Sequence, residues 1–393
     1  MDAAWRAYQD EFETLRGMLY GSALAAEPAN QARAHRWLMQ AQALAYNLVI
    51  APDQSRPRFF VNTVFEPGIY DWILPNADFL YRYAFVDGAG RFRITGRRGG
   101  SHFLEAQTIG GFFGDSDLKL LSTYDFDKFA RNADGDFEII VSAERPDDCP
   151  NWIAIDPARG NNTIIVREAF YDWNAEAKSE LRIESLDPPK PAAPPDEAEF
   201  IRRLGAASRF MWFCFKTFSG GLTQQVLDAV GTNRFLLVDT SKDEHASNPS
   251  AGYVPAVYDL KPGEAMIIEV DAPKARYWNL HLGDVWWQVT DFTHHQSSLN
   301  GHQAIPDGDG KVRIVIAAED PGVANWLDPV GNPKGVALLR WYFTDSYPTP
   351  AARVVPARLV LTELPLDTVL VTPSQRREAL AARQDAVLRR YGY

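Results

Sequence analysis

Cysteine is scarce in this sequence of 393 residues, which contains only Cys149 and Cys214. The two lie far apart and match no metal-ligand spacing. We therefore expect neither a disulfide framework nor a cysteine-based metal centre, and unpaired thiols suit a reducing compartment. The sequence also lacks a run of about 18 apolar residues, the length that a membrane-spanning helix needs. Its N-terminal segment has no apolar core of a secretory signal. These absences predict a soluble, cytoplasmic protein without a membrane partner.

Positive charge is also in short supply, because 40 Lys and Arg face 51 Asp and Glu, for a formal net charge of −11. Binding to a phosphate backbone needs a basic patch, so a nucleic-acid partner is not expected. The sequence has no Gly-x-Gly-x-x-Gly motif that opens a helix after a strand, no Walker loop and no Gly-x-Ser-x-Gly motif. A nucleotide cofactor and serine hydrolysis are therefore disfavoured, and we expect no cofactor.

Aromatic residues, by contrast, are abundant at 12% of the chain, including eleven Trp, and the hydrophobic content is 46%. Apolar residues at spacings of three and four predict a helix over 3–20, a second helix capped by Asn30, and a third over 200–218. Short runs rich in Phe, Tyr, Ile and Val that alternate with Gly, Asp and Asn turns predict β-strands, with a hairpin over 79–96. The chain can therefore bury a sizeable core.

These patterns predict a mainly β fold of two tandem antiparallel β-sandwich or jelly-roll-like domains with N-terminal, linker and C-terminal helices. Exposed edge strands leave a homo-oligomer open as an alternative to a monomer. The last helix should carry its basic residues toward solvent. The predicted segments are an N-terminal helical segment (1–56), a first β-sandwich domain (57–183), a Pro-rich linker (184–199), a linking helix (200–230), a second β-sandwich domain (231–366) and the C-terminal helix (367–393).

An internal repeat connects the two β regions. The segment "DGDFEIIVSAERPDDCPNWIAIDP" (134–157) aligns with "DGKVRIVIAAEDPGVANWLDP" (309–329), and each has a DG turn, a β-rich run, a Glu-x-Pro loop and an Asn-Trp pair. A period of about 175 residues is too long for a solenoid and indicates two domains of one type. Because the Asn-Trp pair occurs in both copies, we interpret it as scaffold. The strand arginines, Arg167 and Arg340, are expected to pair with Glu144 and Glu319 of their own domains.

The segment 277–343 resembles the bacterial family known as domain of unknown function 1214, through "YWNLHLGD", "DGKVRIVIAAEDPG", "NWLDP" and "LLRWYF". The first β region resembles this family only through the internal repeat. The resemblance implies a jelly-roll-like β fold, often in two-domain proteins, and implies no particular reaction.

His281 is the first candidate for chemistry, because strand alternation places it on the polar face of "YWNLHLGD". The repeat places Gln107 at the matching position of the first domain. One interpretation makes His281 a general acid/base oriented by Asp284 or Asp291, and the other makes it a hydrogen-bonded structural histidine.

The stretch "DFTHHQSSLNGHQ" (291–303) contains three of the seven histidines. A metal site would need imidazoles that converge within about 2.1 Å of one ion, and a turn at Asn300-Gly301 could bring His295 and His302 together. The spacing matches neither a cupin nor a His-Glu-x-x-His pattern, so we predict no metal site and keep a metal here only as the open alternative. The first copy has "DFDKFARNADG" at this place, without histidine. The stretch therefore distinguishes the second domain.

Two function classes remain. The first is an enzyme that acts on a hydrophobic or aromatic small molecule by proton transfer, of the lyase, hydratase or isomerase type, in a pocket of the second domain. The second is a non-catalytic β-sandwich protein that binds a small ligand or a carbohydrate on Trp side chains. The predicted catalytic residues are His281, Asp284, Asp291 and His295, and the predicted substrate-binding residues are His294, His302, Trp286, Trp287, Gln107, Tyr81 and Arg82.

Overall fold

A computed structural model describes residues 1–61, 65–188, 196–238, 248–271 and 274–393 of the chain. The predicted fold class is confirmed, since the chain is mainly β and has two similar halves with helices around them. Residues 189–195 of the predicted Pro-rich linker lie outside the described residues. No helix in the described ranges is long and apolar enough to cross a membrane.

The helices frame the two halves, and two of them continue as π-helical turns, over Tyr46–Ile50 and Phe215–Leu222. The predicted cap of the second helix is wrong. That helix begins at Pro28, whose fixed φ suits the first helical position, and Asn30 lies inside it. The α-helices are α1 (Asp2–Gly21), α2 (Pro28–Ala45), α3 (Glu197–Cys214), α4 (Thr223–Val230), α5 (Val360–Glu363) and α6 (Pro373–Tyr391).

Within the described ranges, each half contains eight strands. The first half contains β1 (Phe79–Val86), β2 (Phe92–Arg97), β3 (Phe103–Gly110), β4 (Lys119–Asp125), β5 (Asp136–Ser142), β6 (Trp152–Ala154), β7 (Asn162–Ala169) and β8 (Glu180–Ser185). The second contains β9 (Ala251–Asp259), β10 (Glu264–Val270), β11 (Tyr277–Asp284), β12 (Ser298–Asn300), β13 (Val312–Ala317), β14 (Trp326–Leu327), β15 (Lys334–Tyr342) and β16 (Ala351–Pro356).

The duplication holds strand by strand. The first half has sheets of order β1-β7-β3-β4 and β6-β5-β2-β8, and the second has β9-β15-β11-β12 and β14-β13-β10-β16. Among the described strands of each half, only the short strand after the Glu-x-Pro loop is parallel to its neighbour. The predicted hairpin over 79–96 is wrong, because β1 pairs with β7 and β2 pairs with β5 and β8. The chain between them crosses from one sheet of the sandwich to the other.

The Asn-Trp pairs are scaffold in both halves. The Asn151 side chain bonds the backbone of Ala130 and the carbonyl of Glu138, and Asn325 makes the same bonds to Ile305 and Arg313. These amides hold the loop before each central strand against that strand. Equal bonds at matched positions explain why the pair is repeated, since each half needs the same loop anchor.

The two halves meet through the outer faces of the β1-β7-β3-β4 and β9-β15-β11-β12 sheets, where an aromatic cluster is buried. The predicted arginine pairings are wrong at this junction. Arg167 contacts Glu105 on the neighbouring strand at 3.5 Å, and Arg340 donates to His281 and to the Leu74 carbonyl. Both arginines face the other half rather than the Glu-x-Pro loop of their own.

Asp78 is the polar centre of the junction. Its carboxylate accepts hydrogen bonds from Trp173 Nε1 at 2.7 Å in the first half, and from Tyr277 Oη at 2.6 Å and Asn300 Nδ2 at 2.8 Å in the second. The side chain is fully buried. A buried carboxylate is tolerated only where hydrogen bonds and countercharge replace water, so these three donors couple the two halves at one point.

The C-terminal helix supplies the countercharge, and the expectation that its basic residues face solvent is wrong for one face. Arg376, Arg383 and Arg390 recur at intervals of two turns and are all buried. The centroid of the Trp173 ring lies 4.3 Å from the guanidinium carbon of Arg383 and 4.5 Å from that of Arg390. Cation–π contact and backbone carbonyls thus hold two cations within the electrostatic reach of Asp78.

Substitution of Asp78 by Ala should lower the free energy of unfolding by about 3–5 kcal/mol, because it leaves three donors unpaired and two guanidinium groups buried without a carboxylate. Chemical denaturation measures this, with Asp345→Ala, an exposed carboxyl of the second half, as the control. A loss below about 1 kcal/mol for Asp78→Ala, the range of ordinary substitutions, would contradict the role of Asp78.

Candidate functional site

A cleft of about 470 Å³ lies where the loop after β11, the segment before β1, helix α2 and helix α6 come together. We call it the Asp71–Asp284 cleft after two of its buried carboxyl groups. Its charged and polar lining includes Arg33, Arg36, Glu66, Asp71, Asp284, Gln288, Asp291, Thr293, His294 and Asn332, and its apolar lining includes Val289, Val387 and Leu388.

Asp284 ends strand β11 and caps the turn that follows. Its carboxylate accepts hydrogen bonds from the backbone N–H of Trp286 at 2.9 Å and of Gln288 at 3.0 Å, and from Gln288 Nε2 at 2.8 Å. Burial nevertheless raises the pKa of Asp284 to about 6, and these bonds and the charge of Arg33 only limit the rise. The first half has Gly110 at the matching strand end, so the carboxyl belongs to the second half alone.

Asp71 lies opposite, in the turn that begins at Glu66. Its carboxylate pairs with Arg36 of helix α2 and accepts the Gly68 N–H at 3.0 Å. Burial raises its pKa to about 6 as well, while the charge of Arg36 lowers it. The Asp71 carbonyl accepts the Val289 N–H at 2.8 Å. That bond ties together the two loops that carry the buried carboxyls.

The C-terminal helix fixes both loops from behind. The Arg383 guanidinium donates to the Phe292 carbonyl and to the Ser298 hydroxyl, and Arg390 donates to the Ala77 carbonyl at 2.6 Å. One guanidinium therefore positions the loop after Asp284 and the other positions the segment after Asp71. The walls of the cleft are therefore bonded both to the C-terminal helix and to each other.

Three residues of the cleft wall each have one buried polar atom with no hydrogen-bond partner within the described ranges. These atoms are Glu66 Oε2, Thr293 Oγ1 and Asn332 Oδ1. Unpaired buried polar atoms cost free energy and are uncommon in folded proteins. Other such atoms, including Trp37 Nε1 and Tyr258 Oη, lie elsewhere in the described ranges, but these three give the cleft wall bonding capacity that the chain itself does not use.

The three histidines of the 291–303 stretch do not converge. His294 pairs with Asp291 at 2.8 Å, His295 pairs with Asp328 at 2.8 Å, and His302 faces Asp172 of the first half at 3.6 Å. Only His294 and Asp291 line the cleft. Among the described residues no three His, Cys, Asp or Glu side chains form a group that could hold a metal ion.

His281 lies away from the cleft, fully buried at the junction. Its Nε2 accepts a hydrogen bond from Arg340, and its Nδ1 has no partner within the described ranges. Burial, and then the charge of Arg340, lower its pKa well below the usual value, so the ring is neutral. Asp284 does not orient it.

The predicted match with Gln107 is present in the strand register, since Gln107 and His281 each lie two residues beyond the partner of the strand arginine. Both side chains are fully buried.

The remaining predicted substrate contacts also lie outside the cleft. Trp286 and Trp287 are core residues whose indole N–H groups donate to the Asn30 carbonyl and to Thr223. Tyr81 accepts the Asn76 N–H at the junction. Arg82 forms a buried ion pair with Glu168 at 2.8 Å.

Sequence reasoning missed Asp71, Glu66, Arg33 and Arg36, which form the opposite wall. A signal was present, because "FEPGIYDW" (65–72) places two acids beside aromatic residues that had to be buried. Their proximity to Asp284 depends on how the segment before β1 crosses the junction, and no local pattern encodes that crossing.

Fold and cleft together define a duplicated two-sandwich protein with a carboxyl-lined cleft on its second half. The family described as "Protein of unknown function (DUF1214)" matches residues 108–169 and 259–346, one region in each half. The resemblance predicted from 277–343 is thus confirmed and extends into the first half, consistent with a two-domain DUF1214 protein.

The solved structures that are similar to the chain include the following two. An uncharacterized protein from Burkholderia cenocepacia is 28% identical with a TM-score of 0.83, and the match covers 91% of this chain and 98% of that one. The VPA0106 protein from Vibrio parahaemolyticus is 14% identical with a TM-score of 0.48, over 81% of this chain and 97% of that one. No curated protein matches the sequence. The similarity to the Burkholderia protein supports the fold, and neither structure names a reaction.

The raised pKa values of Asp71 and Asp284 predict the pH dependence of stability. The pKa of each carboxyl is about 6 in the folded protein and 3.8 in the unfolded chain. Between these two values the folded state binds more protons than the unfolded state does. The stability that these carboxyls contribute is therefore lost as pH rises through this range. Each ionised carboxyl costs about 3 kcal/mol at neutral pH. When pH falls from 7 to 5, the free energy of unfolding of the unchanged protein should therefore rise by about 1 kcal/mol relative to that of Asp284→Asn. Denaturation at both pH values measures it, and an unchanged difference would contradict the raised pKa.

His281 predicts the opposite slope. Its folded pKa lies below the unfolded value, so its contribution is complete above the unfolded pKa of about 6.5 and is lost as pH falls below it. His281→Gln, which copies Gln107, should fold and lose less stability between pH 7 and pH 5 than the unchanged protein does. Thermal melts at both pH values test this against His302→Gln, a half-exposed histidine. Equal losses in the two variants would count against a buried neutral His281.

Proposed function

We propose that this protein is an enzyme that transfers protons to and from a small molecule in the Asp71–Asp284 cleft, with chemistry of the lyase, hydratase or isomerase type. One observation carries the proposal: two buried carboxyls, each with a pKa of about 6, line the same cleft. A general acid or base works best when its pKa lies near the working pH. Ordinary aspartates, with a pKa of about 3.9, are almost wholly ionised at neutral pH and therefore have no proton to donate as a general acid.

The two carboxyls have distinct surroundings, which favours distinct roles. Asp71 is paired with Arg36, which stabilises its ionised form, so Asp71 is the better candidate for the base. Asp284 has no cation in hydrogen-bond contact within the described ranges and is held by backbone N–H groups and Gln288, so it is the better candidate for the acid. Burial raises the pKa of both carboxyls to about 6, so the two roles are assigned from the different contacts of the two groups.

The lining of the cleft sets the kind of substrate. Val289, Val387 and Leu388 offer apolar contact, while the carboxyls and Gln288 offer polar contact. An amphipathic small molecule suits this lining better than a wholly hydrophobic or aromatic one. The alternative, a carbohydrate-binding protein with a Trp platform, is less well supported. Every Trp of the second half is buried, namely Trp278, Trp286, Trp287, Trp326 and Trp341.

Deuterium exchange tests the proposal even where the substrate has not been identified. The protein is incubated in D2O with a defined mixture of small amines, alcohols and carboxylic acids, and mass spectrometry then detects deuterium uptake or new products. We expect Asp71→Asn and Asp284→Asn each to reduce the rate by about 10²-fold or more, and Asp345→Asn to retain it. Full rates in both cleft variants, or no exchange and no product with the unchanged protein, would overturn the proposal.

A further inference from the structure

The charge balance of the cleft favours a positively charged ligand. Four carboxyl groups line it, from Glu66, Asp71, Asp284 and Asp291, against the two guanidinium groups of Arg33 and Arg36. We infer that the substrate carries a protonated amine, which the cleft holds through Glu66 and its neighbours. The inference rests on the proposed function, because it names the substrate class of the same cleft.

The cations of the cleft are already engaged, so they offer little to an anionic ligand. Arg36 pairs with Asp71 and donates to the Gly68 carbonyl at 3.2 Å. Arg33 donates to Asn30 Oδ1 at 3.1 Å. A carboxylate or phosphate ligand would have to displace these bonds and would also meet the surplus of negative charge.

Glu66 is the strongest single indication of an amine. It is only 3% exposed, and its Oε1 accepts a hydrogen bond from the Tyr393 hydroxyl, while Oε2 has no partner within the described ranges. A buried carboxylate oxygen without a donor is costly, and a charged N–H donor is the partner that relieves it most.

The other two unpartnered atoms of the cleft wall suit the same ligand. Thr293 Oγ1 and Asn332 Oδ1 have no partner within the described ranges, and both atom types are able to accept a hydrogen bond. An ammonium group has three N–H donors and no acceptor, so it can bond any of these oxygens. The apolar side chains of Val289, Val387 and Leu388 are then available for the carbon chain of the ligand.

Three probes of one size isolate the charge: n-pentylamine, n-pentanol and n-pentanoate. Ligand-observed NMR titration of the full chain at pH 7.5 measures their affinities, and the amine stays protonated because its pKa is close to that of Lys, about 10.4. We expect n-pentylamine to bind at least about tenfold more tightly than n-pentanoate. Glu66→Gln should remove most of that preference, while Glu144→Gln, an exposed glutamate of the first half, should retain it.

A second variant covers the case in which Glu66→Gln fails to fold. Thr293→Val removes an unpartnered hydroxyl and keeps the side-chain shape, so it should fold and weaken amine binding by about threefold or more. Amine affinity should also fall from pH 7.5 to pH 5 as Asp71 and Asp284 become protonated.

The outcomes separate the two claims. Equal or tighter binding of n-pentanoate or n-pentanol, no binding of n-pentylamine, or an unchanged preference in the cleft variants overturns the amine inference. These results do not bear on the role of Asp71 and Asp284 in turnover, which the deuterium exchange experiment tests. Conversely, amine binding that depends on Glu66, together with full turnover in Asp71→Asn and Asp284→Asn, would retain the amine site and reject the acid/base proposal.

Discussion

The burial of the Asp78 carboxylate between the two halves is the interaction on which the rest of the structure depends. An uncompensated carboxylate in this position would cost several kcal/mol. The chain compensates with donors from Trp173, Tyr277 and Asn300 and with two arginines of the C-terminal helix. Each compensating group comes from a different part of the chain. Satisfying one charge therefore fixes how the halves, and the helix that spans them, are arranged.

The Asp71–Asp284 cleft follows from that arrangement. The same helix whose arginines face Asp78 also bonds the loop after β11 and the segment before β1. The loop after β11 brings Asp284 to the cleft, and the segment before β1 brings Glu66 and Asp71. The duplicated scaffold provides the sheets twice, but the cleft only once, because Gly110 stands where the second half has Asp284. Duplication thus supplied the framework, and departures from it at single positions supplied the candidate chemistry.

Much of the fold could be predicted from the sequence, because local patterns and the internal repeat are properties of the chain itself. The Asn-Trp scaffold is an example, since Asn151 and Asn325 make matching bonds. The hairpin over 79–96 could not be excluded, because strand alternation does not say which sheet a strand joins. Asp284, Asp291 and His294 were predicted site residues and do line one cleft. Asp71 was missed, since its proximity is set by the junction. His281 looked like chemistry because a buried polar position and a catalytic position have the same strand pattern.

The acid/base proposal depends on the raised pKa values of Asp71 and Asp284, and titration of these two carboxyls measures those values directly. Carbon-13 labelling of the aspartate carboxyls allows their resonances to be followed by NMR, with Asp71→Asn and Asp284→Asn as assignments. We expect each variant to lose one resonance that titrates with a pKa of about 6. Midpoints close to the ordinary aspartate value of about 3.9 for both residues would contradict the proposal, because neither carboxyl would then hold a proton for a substrate near neutral pH.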